Sequence, residues 1–394
     1  MTNSYEQALE RLQTEGRLRE LKPLIGRNGC HIVYRGRKLL NLTSNDYLGL
    51  AGDKGLHKKF YSTMADENLL DNFGLGSASS RLLTGDSENA HLLENTLRKT
   101  YKKEACLLFN SGYHANIGIL PALLGKNDLI LSDKLNHASI MDGMRLSVAQ
   151  HKRYRHCDYD HLAELLIKYR RKFQKVIIVS ESVFSMDGDV ADLAKLGQLK
   201  TEHDCMLYID EAHSIGLYGP QGLGMAEEQG QLGAIDFLVG TFGKALASVG
   251  AFVLCSSILR DYLVNHSRSL IFTTALPPVV LYWNHFIFKE MLHCNDRRIG
   301  LQAMSSKLRR KLMQHNLQTD GSTNIVPVML GDDSLAVALA EAMQERGYLI
   351  FPVRPPAVPE GTARFRLSLT ADMVWTDIDR VAEDTAELMQ RFSA

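Results

Sequence analysis

From about residue 86 the chain repeats one pattern: a short, uninterrupted apolar run, then a longer segment of helical length and period. The runs fall at 105–109, 129–131, 176–179, 206–209, 237–239 and 251–254. Apolar runs without alternation predict strands buried on both faces, and strands alternating with helices predict a mostly parallel sheet covered on both sides. Ligands of such sheets bind beyond the strand ends, so the residues directly after each run carry the functional interest. Upstream, Ala8, Leu9, Leu12, Leu18 and Leu21 fall at helical spacing and predict a helix over 4–22, stopped by Pro23. The stretch from His31 to Leu42, with Arg35-Gly36 inside it, predicts a small hairpin. Pro277-Pro278 interrupts the rhythm. Beyond it the pattern predicts helices over 279–315, a strand at 325–330, a helix at 333–346, a strand at 364–369 and a last helix over 375–391. The expected organisation is an N-terminal helix and hairpin arm (1–50), an α/β domain (51–276) and a smaller α+β C-terminal domain (277–394).

Composition narrows the function classes. With 394 residues the chain buries enough surface to fold without disulfide or metal staples. Its 45 basic residues balance 45 acidic ones, with no Lys/Arg block, which argues against a nucleic-acid or anionic-membrane surface. Cys30, Cys106, Cys157, Cys205, Cys255 and Cys294 are scattered with no C-x-x-C pair, as reduced buried thiols are, and predict no zinc site. The polar, mixed-charge N-terminus does not resemble a signal peptide, and no apolar run approaches the ~20 residues of a membrane span. A cytoplasmic globular protein is expected.

Five strand-end sequences carry candidate chemistry. Thr241-Phe-Gly-Lys244 places one lysine among apolar and small residues. It either snorkels from a loop or is desolvated enough to serve as a nucleophile or Schiff-base amine. Asp210-Glu-Ala-His213 ends a buried run with a carboxylate. It either caps the next turn or holds a protonated ring nitrogen; a Walker-B role fails because no Walker-A loop is present. Ser111-Gly112-Tyr113 opens a helix whose N-terminus suits phosphate, or is an ordinary N-cap. His137 follows the 129–131 run and Ser185 the 176–179 run. Each is either a satisfied loop residue or a contact to a flat cofactor. Asp187-Gly-Asp189 reads as turn chemistry, and no metal is expected. Two glycine-rich stretches, 73–80 and 216–224, fail the strand-before-helix context of a dinucleotide fingerprint. Each site is ambiguous alone. Together they offer a phosphate cradle, a ring-nitrogen carboxylate, a stacking imidazole and an aldimine lysine, which are the parts pyridoxal phosphate needs.

Nearly the whole chain resembles the α-oxoamine synthases, a family of fold-type I pyridoxal-phosphate enzymes. The resemblance rests on Ser44-Asn-Asp-Tyr-Leu-Gly-Leu50, Gly76-Ser-Ala-Ser-Ser-Arg81-Leu-Leu-Thr-Gly85, Asn136-His-Ala-Ser139, Phe184-Ser-Met-Asp-Gly188, Asp210-Glu-Ala-His213, Thr241-Phe-Gly-Lys244 and the stretch 361–367. Ser44 to Tyr47, 80–82 and 135–143 are most similar to the alanine-using, biotin-pathway branch. The resemblance implies a homodimeric acyltransferase that joins L-alanine to a pimeloyl thioester, carried on coenzyme A or an acyl-carrier protein. It implies Lys244 as the Schiff-base lysine, Asp210 at the pyridine nitrogen and His137 stacked on the ring. Ser185 and His213 would lie near the ring hydroxyl, with Gly112, Tyr113 and Thr241 as cofactor and phosphate contacts. Arg19, Asn45, Thr362 and Arg366 would meet substrate, Arg366 by gripping a carboxylate bidentately. Ala247 departs from the family, in which many members carry glycine. The alternatives are another α-oxoamine synthase using glycine or serine, an aminotransferase, and a non-catalytic regulatory protein of the same fold.

Overall fold

In the computed structural model of the chain, which describes residues 3–393, the six apolar runs form strands and a seventh joins them. They are β1 (Ala105–Phe109), β2 (Leu129–Asp133), β3 (Gln150–Tyr154), β4 (Val176–Glu181), β5 (Met206–Asp210), β6 (Phe237–Thr241) and β7 (Ala251–Cys255). Across the sheet the order is β1-β7-β6-β5-β4-β2-β3. The neighbours from β6 to β3 pair in parallel, whereas β7 runs antiparallel to both β6 and β1. Every residue of β1, β2, β4 and β7 is buried, as the lack of alternation requires. β3 escaped the apolar pattern because Gln-His-Lys-Arg-Tyr buries only Tyr154. It is the sheet edge, where charged side chains discourage a further strand.

Contacts divide the chain into two units: residues 54–184 with 190–298, holding the seven-stranded sheet, and the residues up to 53, 185–189 and from 299. This differs from the three segments expected. The helix Pro278–Leu292 belongs to the first unit, where Trp283 meets Phe60 edge-on at 5.0 Å and Phe288 stacks near Tyr101. The N-terminal hairpin is no separate arm, because Arg37–Asn41 pairs in parallel with Tyr348–Leu349 in a four-stranded sheet of the second unit. That unit's other sheet joins Ile325–Gly331, Ala363–Ser368 and Pro352–Val353, all antiparallel.

The hairpin turn is Arg35-Gly36, both at positive φ (49° and 74°), the two-residue form that matches strand twist. The first helix is shorter than expected, Asn3–Thr14. Arg17 N donates to Leu12 O and Gly16 N to Gln13 O, so Gly16, at φ 64°, ends it before Pro23 is reached. The last helix divides into Trp375–Ile378 and Val381–Ser393. Among the described residues no helix is long and apolar enough to cross a membrane.

Candidate active site

In the sheet-bearing unit, Ser111 caps the helix Gly112–Leu123, its Oγ accepting from His114 N at 3.2 Å. The helix itself offers no acceptor to the N–H groups of Gly112 and Tyr113, so its positive end stays available to an anion. A Cβ built on Gly112 would lie 3.8 Å from the Thr241 Cβ at the end of β6. Thr241 Oγ1 donates to Gly250 O and accepts from Gly243 N, which fixes the hydroxyl and the start of the lysine turn together. The Tyr113 hydroxyl donates to Asp142 at 2.8 Å, bracing this helix against Ala138–Leu146.

Asp210 ends β5 with 5% of its surface exposed. Its Oδ2 accepts from Asn116 Nδ2 at 2.9 Å and its Oδ1 from Ala212 N at 2.9 Å. The second Asn116 N–H goes to Ser139 Oγ, and its carbonyl oxygen accepts from the Tyr208 hydroxyl. With every polar group of the amide engaged, Asn116 can hold Asp210 in only one orientation. Beyond β5, His213 is buried, while Glu211 turns away to take the Met225 and Ala226 N–H groups; burial pushes its carboxyl up to about 7.

Glu181 sits opposite Asp210 on the neighbouring strand. Burial pushes it up to about 8, the Asp210 charge pushes the same way, and the Lys244 charge opposes both. Glu181 Oε1 accepts from His137 N at 2.5 Å. The His137 ring caps the next helix, Nδ1 accepting from Ser139 N at 3.2 Å. In the neutral ring this leaves the proton on Nε2. His137 is exposed, yet the protein around it still desolvates the ring enough to lower its pKa, with the Asp210 charge opposing that effect and the Lys244 charge adding to it. Lys244, His137, Asp210 and Glu181 thus share one electrostatic neighbourhood at neighbouring strand ends.

Lys244 is half-buried three residues past β6, in a turn closed by Ala247 N donating to Lys244 O at 2.9 Å. Ala247 has φ 49°, a left-handed conformation costing an L-residue about 1–2 kcal/mol. This is the physical reason glycine suits the position.

The second unit gathers a different set. Arg366, on Ala363–Ser368, donates from Nε to Ser185 O, from Nη1 to Asn45 Oδ1 at 3.2 Å and from Nη2 to the Tyr47 hydroxyl at 3.0 Å. All three acceptors are neutral, so the guanidinium charge is unmatched there. Thr362 donates to Pro359 O at 2.7 Å and Arg19 to Pro355 O at 2.9 Å; neither shares a hydrogen bond with Arg366. Arg19 adds its like charge to the burial that lowers the pKa of Arg354. Asp187 pairs with Arg364 beside Gly188, whose φ is 73°. Asn116 and Glu181 were not singled out in the sequence, and Tyr47 stood there only within the Ser44-to-Leu50 motif, with no role assigned. Glu181 had a signal of its own, a carboxylate closing a buried run.

The donor set of the sheet-bearing unit suits a phosphorylated aromatic aldehyde. The helix N-terminus and Thr241 match phosphate, Asp210 keeps lone pairs for a ring N–H, and Lys244 brings the amine. Residues 37–384 match the family model of aminotransferase class I and II, the class this sheet and strand-end cluster define. An 8-amino-7-oxononanoate synthase from Chlorobaculum parvum is 50% identical over 379 residues, 96% of this chain and 97% of that protein. Among solved structures, a serine palmitoyltransferase from S. paucimobilis with a bound PLP–myriocin aldimine superposes with a TM-score of 0.90 at 28% identity, covering 99% of this chain and 98% of that one. An 8-amino-7-oxononanoate synthase from Francisella tularensis gives a TM-score of 0.75 at 28% identity, covering 90% of this chain and 99% of that one. The chain belongs to the aminotransferase class I and II family and, within it, to the 8-amino-7-oxononanoate synthases.

Proposed function

We propose that this protein is a pyridoxal-phosphate-dependent acyltransferase of biotin biosynthesis. It joins L-alanine to a pimeloyl thioester of coenzyme A or a carrier protein, giving 8-amino-7-oxononanoate, carbon dioxide and free thiol, as a cytoplasmic homodimer. The observation that carries the reading is the shared electrostatic neighbourhood of Lys244, Asp210 and His137 at the ends of β6, β5 and β2.

When bound, the cofactor supplies an electron-accepting ring for the negative charge that develops at the alanine α-carbon. Lys244 would hold the cofactor through its amine, and its Nζ would take the α-proton. Asp210, held by Asn116 and Ala212, would keep a proton on the cofactor's ring nitrogen. Gly112, Tyr113 and Thr241 would hold the phosphate, and Ser185 and His213 would serve the ring hydroxyl. His137 would stack on the cofactor and offer Nε2–H to the acyl carbonyl, a role that the Ser139 N–H bond to Nδ1 prepares. Arg366 exchanges its neutral oxygen partners, Asn45 among them, for the alanine carboxylate. Arg19 and Thr362 contact the acyl substrate.

The test is reduction of the purified yellow protein with borohydride, followed by peptide mass spectrometry. The pyridoxyl mass should sit on the peptide containing Lys244. Labelling of a different lysine overturns the assignment.

A further inference from the structure

The turn that carries Lys244 is gripped from outside by a helix that the proposed reaction leaves unused. Residues 242–250 join β6 to β7. Within them, Phe242 N donates to Gly250 O at 3.0 Å, Ala247 N to Lys244 O at 2.9 Å and Ser248 N to Phe242 O at 2.9 Å. Ala247 stands between the last two bonds at φ 49°, the left-handed conformation that an L-residue adopts only at a cost. If it relaxed, both bonds would break and the backbone at Lys244 would turn with them.

The helix Pro278–Leu292 supplies the hold. Trp283 Nε1 donates to Ala247 O at 3.3 Å, and the next residue, Asn284, donates from Nδ2 to Val249 O at 3.0 Å. Two consecutive helix side chains thus take the carbonyls on either side of Ser248. Both are buried. The indole is itself fixed: His57 stacks on it with centroids 4.9 Å apart, Phe60 meets it edge-on, and Phe286 lies 5.6 Å away. A Cβ on Gly250, at φ 111°, would come within 3.0 Å of Leu276, so the turn also lies close against the segment leading into the helix. A buried indole N–H needs an acceptor wherever it sits, and filling the core alone would satisfy it with any carbonyl. What sets Trp283 apart is that its acceptor belongs to a strained residue whose own N–H closes on Lys244.

We propose that Trp283 is a positioning residue for Lys244: its indole N–H holds Ala247 left-handed and so fixes the turn from which the lysine amine reaches the cofactor. The proposal rests on the reading of Lys244 as the cofactor's lysine. Glycine at position 247 would reach positive φ without that cost and would make the indole bond dispensable. The effects of changing Trp283 and Ala247 are therefore coupled, which those of a merely space-filling tryptophan would not be.

Wild-type holoenzyme is compared with Trp283→Phe, Ala247→Gly and the double variant. Phenylalanine keeps a ring against His57 and Phe60 and removes the N–H. The readout is the rate at which hydroxylamine strips the cofactor, followed by its visible absorbance. Trp283→Phe should lose cofactor about fivefold faster than wild type, the worth of one neutral hydrogen bond. Ala247→Gly should stay within about twofold of wild type, and the double variant within about twofold of Ala247→Gly, because the bond no longer matters there. Equal rates for wild type and Trp283→Phe overturn the inference. So does a Trp283→Phe effect that persists undiminished beside Ala247→Gly. Borohydride labelling of the wild type separates the two claims: a label on another lysine overturns the functional reading and this inference with it, whereas a label on Lys244 without coupling overturns this inference alone. A measurement on the wild-type holoenzyme covers the case in which Trp283→Phe fails to fold. With tryptophan isotopically labelled at the indole nitrogen, Trp283 and Trp375 give the two indole N–H resonances, assigned with Trp375→Phe. Removing the cofactor should shift the Trp283 resonance and leave that of Trp375 in place; an unmoved Trp283 resonance overturns the inference.

Discussion

Asp210 and Glu181 are partners on adjacent strands, both buried, yet their hydrogen-bond surroundings differ. Asp210 takes N–H bonds from Asn116 and Ala212 and has Lys244 within its electrostatic neighbourhood. Removing its charge should cost at least one charge-assisted bond of ~3 kcal/mol, about a hundredfold in rate. Asp210→Asn should therefore lose about two orders of magnitude in steady-state turnover while Lys244 still binds cofactor. Near-wild-type turnover would show that the ring nitrogen is held elsewhere. Glu181, pushed up to about 8, holds its proton where an ordinary carboxyl has lost it. Because its folded-state pKa is raised, the stability it contributes is complete below the ordinary carboxyl range and fades as pH rises toward 8. Glu181→Gln keeps an acceptor for His137 N–H but cannot ionise. Its melting temperature should gain on wild type between pH 5.5 and 8.5; parallel profiles would contradict this. The strand-end positions of Lys244, Asp210 and His137 were legible in the sequence because each follows an apolar run. The contacts of Asn116 and Tyr47 were not, since each fixes another side chain and lies at no strand end.

At the scale of elements, strands buried on both faces and the hairpin with its Arg35-Gly36 turn announced themselves, and three other strands did not. β3 is a charged edge, and Tyr348–Leu349 and Pro352–Val353 are too short to show any period. The helix stop at Gly16 was hidden because apolar positions continue at helical spacing past it. Helix packing holds the site together through a feature that one sequence does not reveal. A Cβ on Gly143 would overlap the carbonyl oxygen of Asn116, so Gly112–Leu123 and Ala138–Leu146 approach closely only because residue 143 is glycine. That approach lets Asn116 reach both Ser139 and Asp210. Gly143→Ala should cost about 1–3 kcal/mol through forced separation. Its melting temperature should fall by several degrees and its turnover should fall with it, since Asn116 moves off Asp210. Thermal melts and steady-state assays check this, and a variant with both values unchanged would mean the helices have slack.

At the scale of the whole molecule, the fold is shared with enzymes whose names specify different substrates. The serine palmitoyltransferase superposes at a TM-score of 0.90, so the scaffold does not choose between serine and alanine. The choice is carried by sequence, where identity to the 8-amino-7-oxononanoate synthase from Chlorobaculum parvum reaches 50%. The family was legible in the motifs, but the division into units was not, because strand pairing and aromatic packing join segments far apart in the chain. The most direct test of the account is a substrate panel: thiol release and product mass for alanine, glycine and serine, each against acetyl, succinyl, pimeloyl, decanoyl and palmitoyl thioesters. Alanine with the pimeloyl thioester should be fastest and yield 8-amino-7-oxononanoate with one carbon dioxide and one thiol. Glycine should trail by roughly 10–200-fold, the worth of one methyl group in a pocket. If glycine with a short acyl group, or serine with palmitoyl, outruns that pair, the account is contradicted.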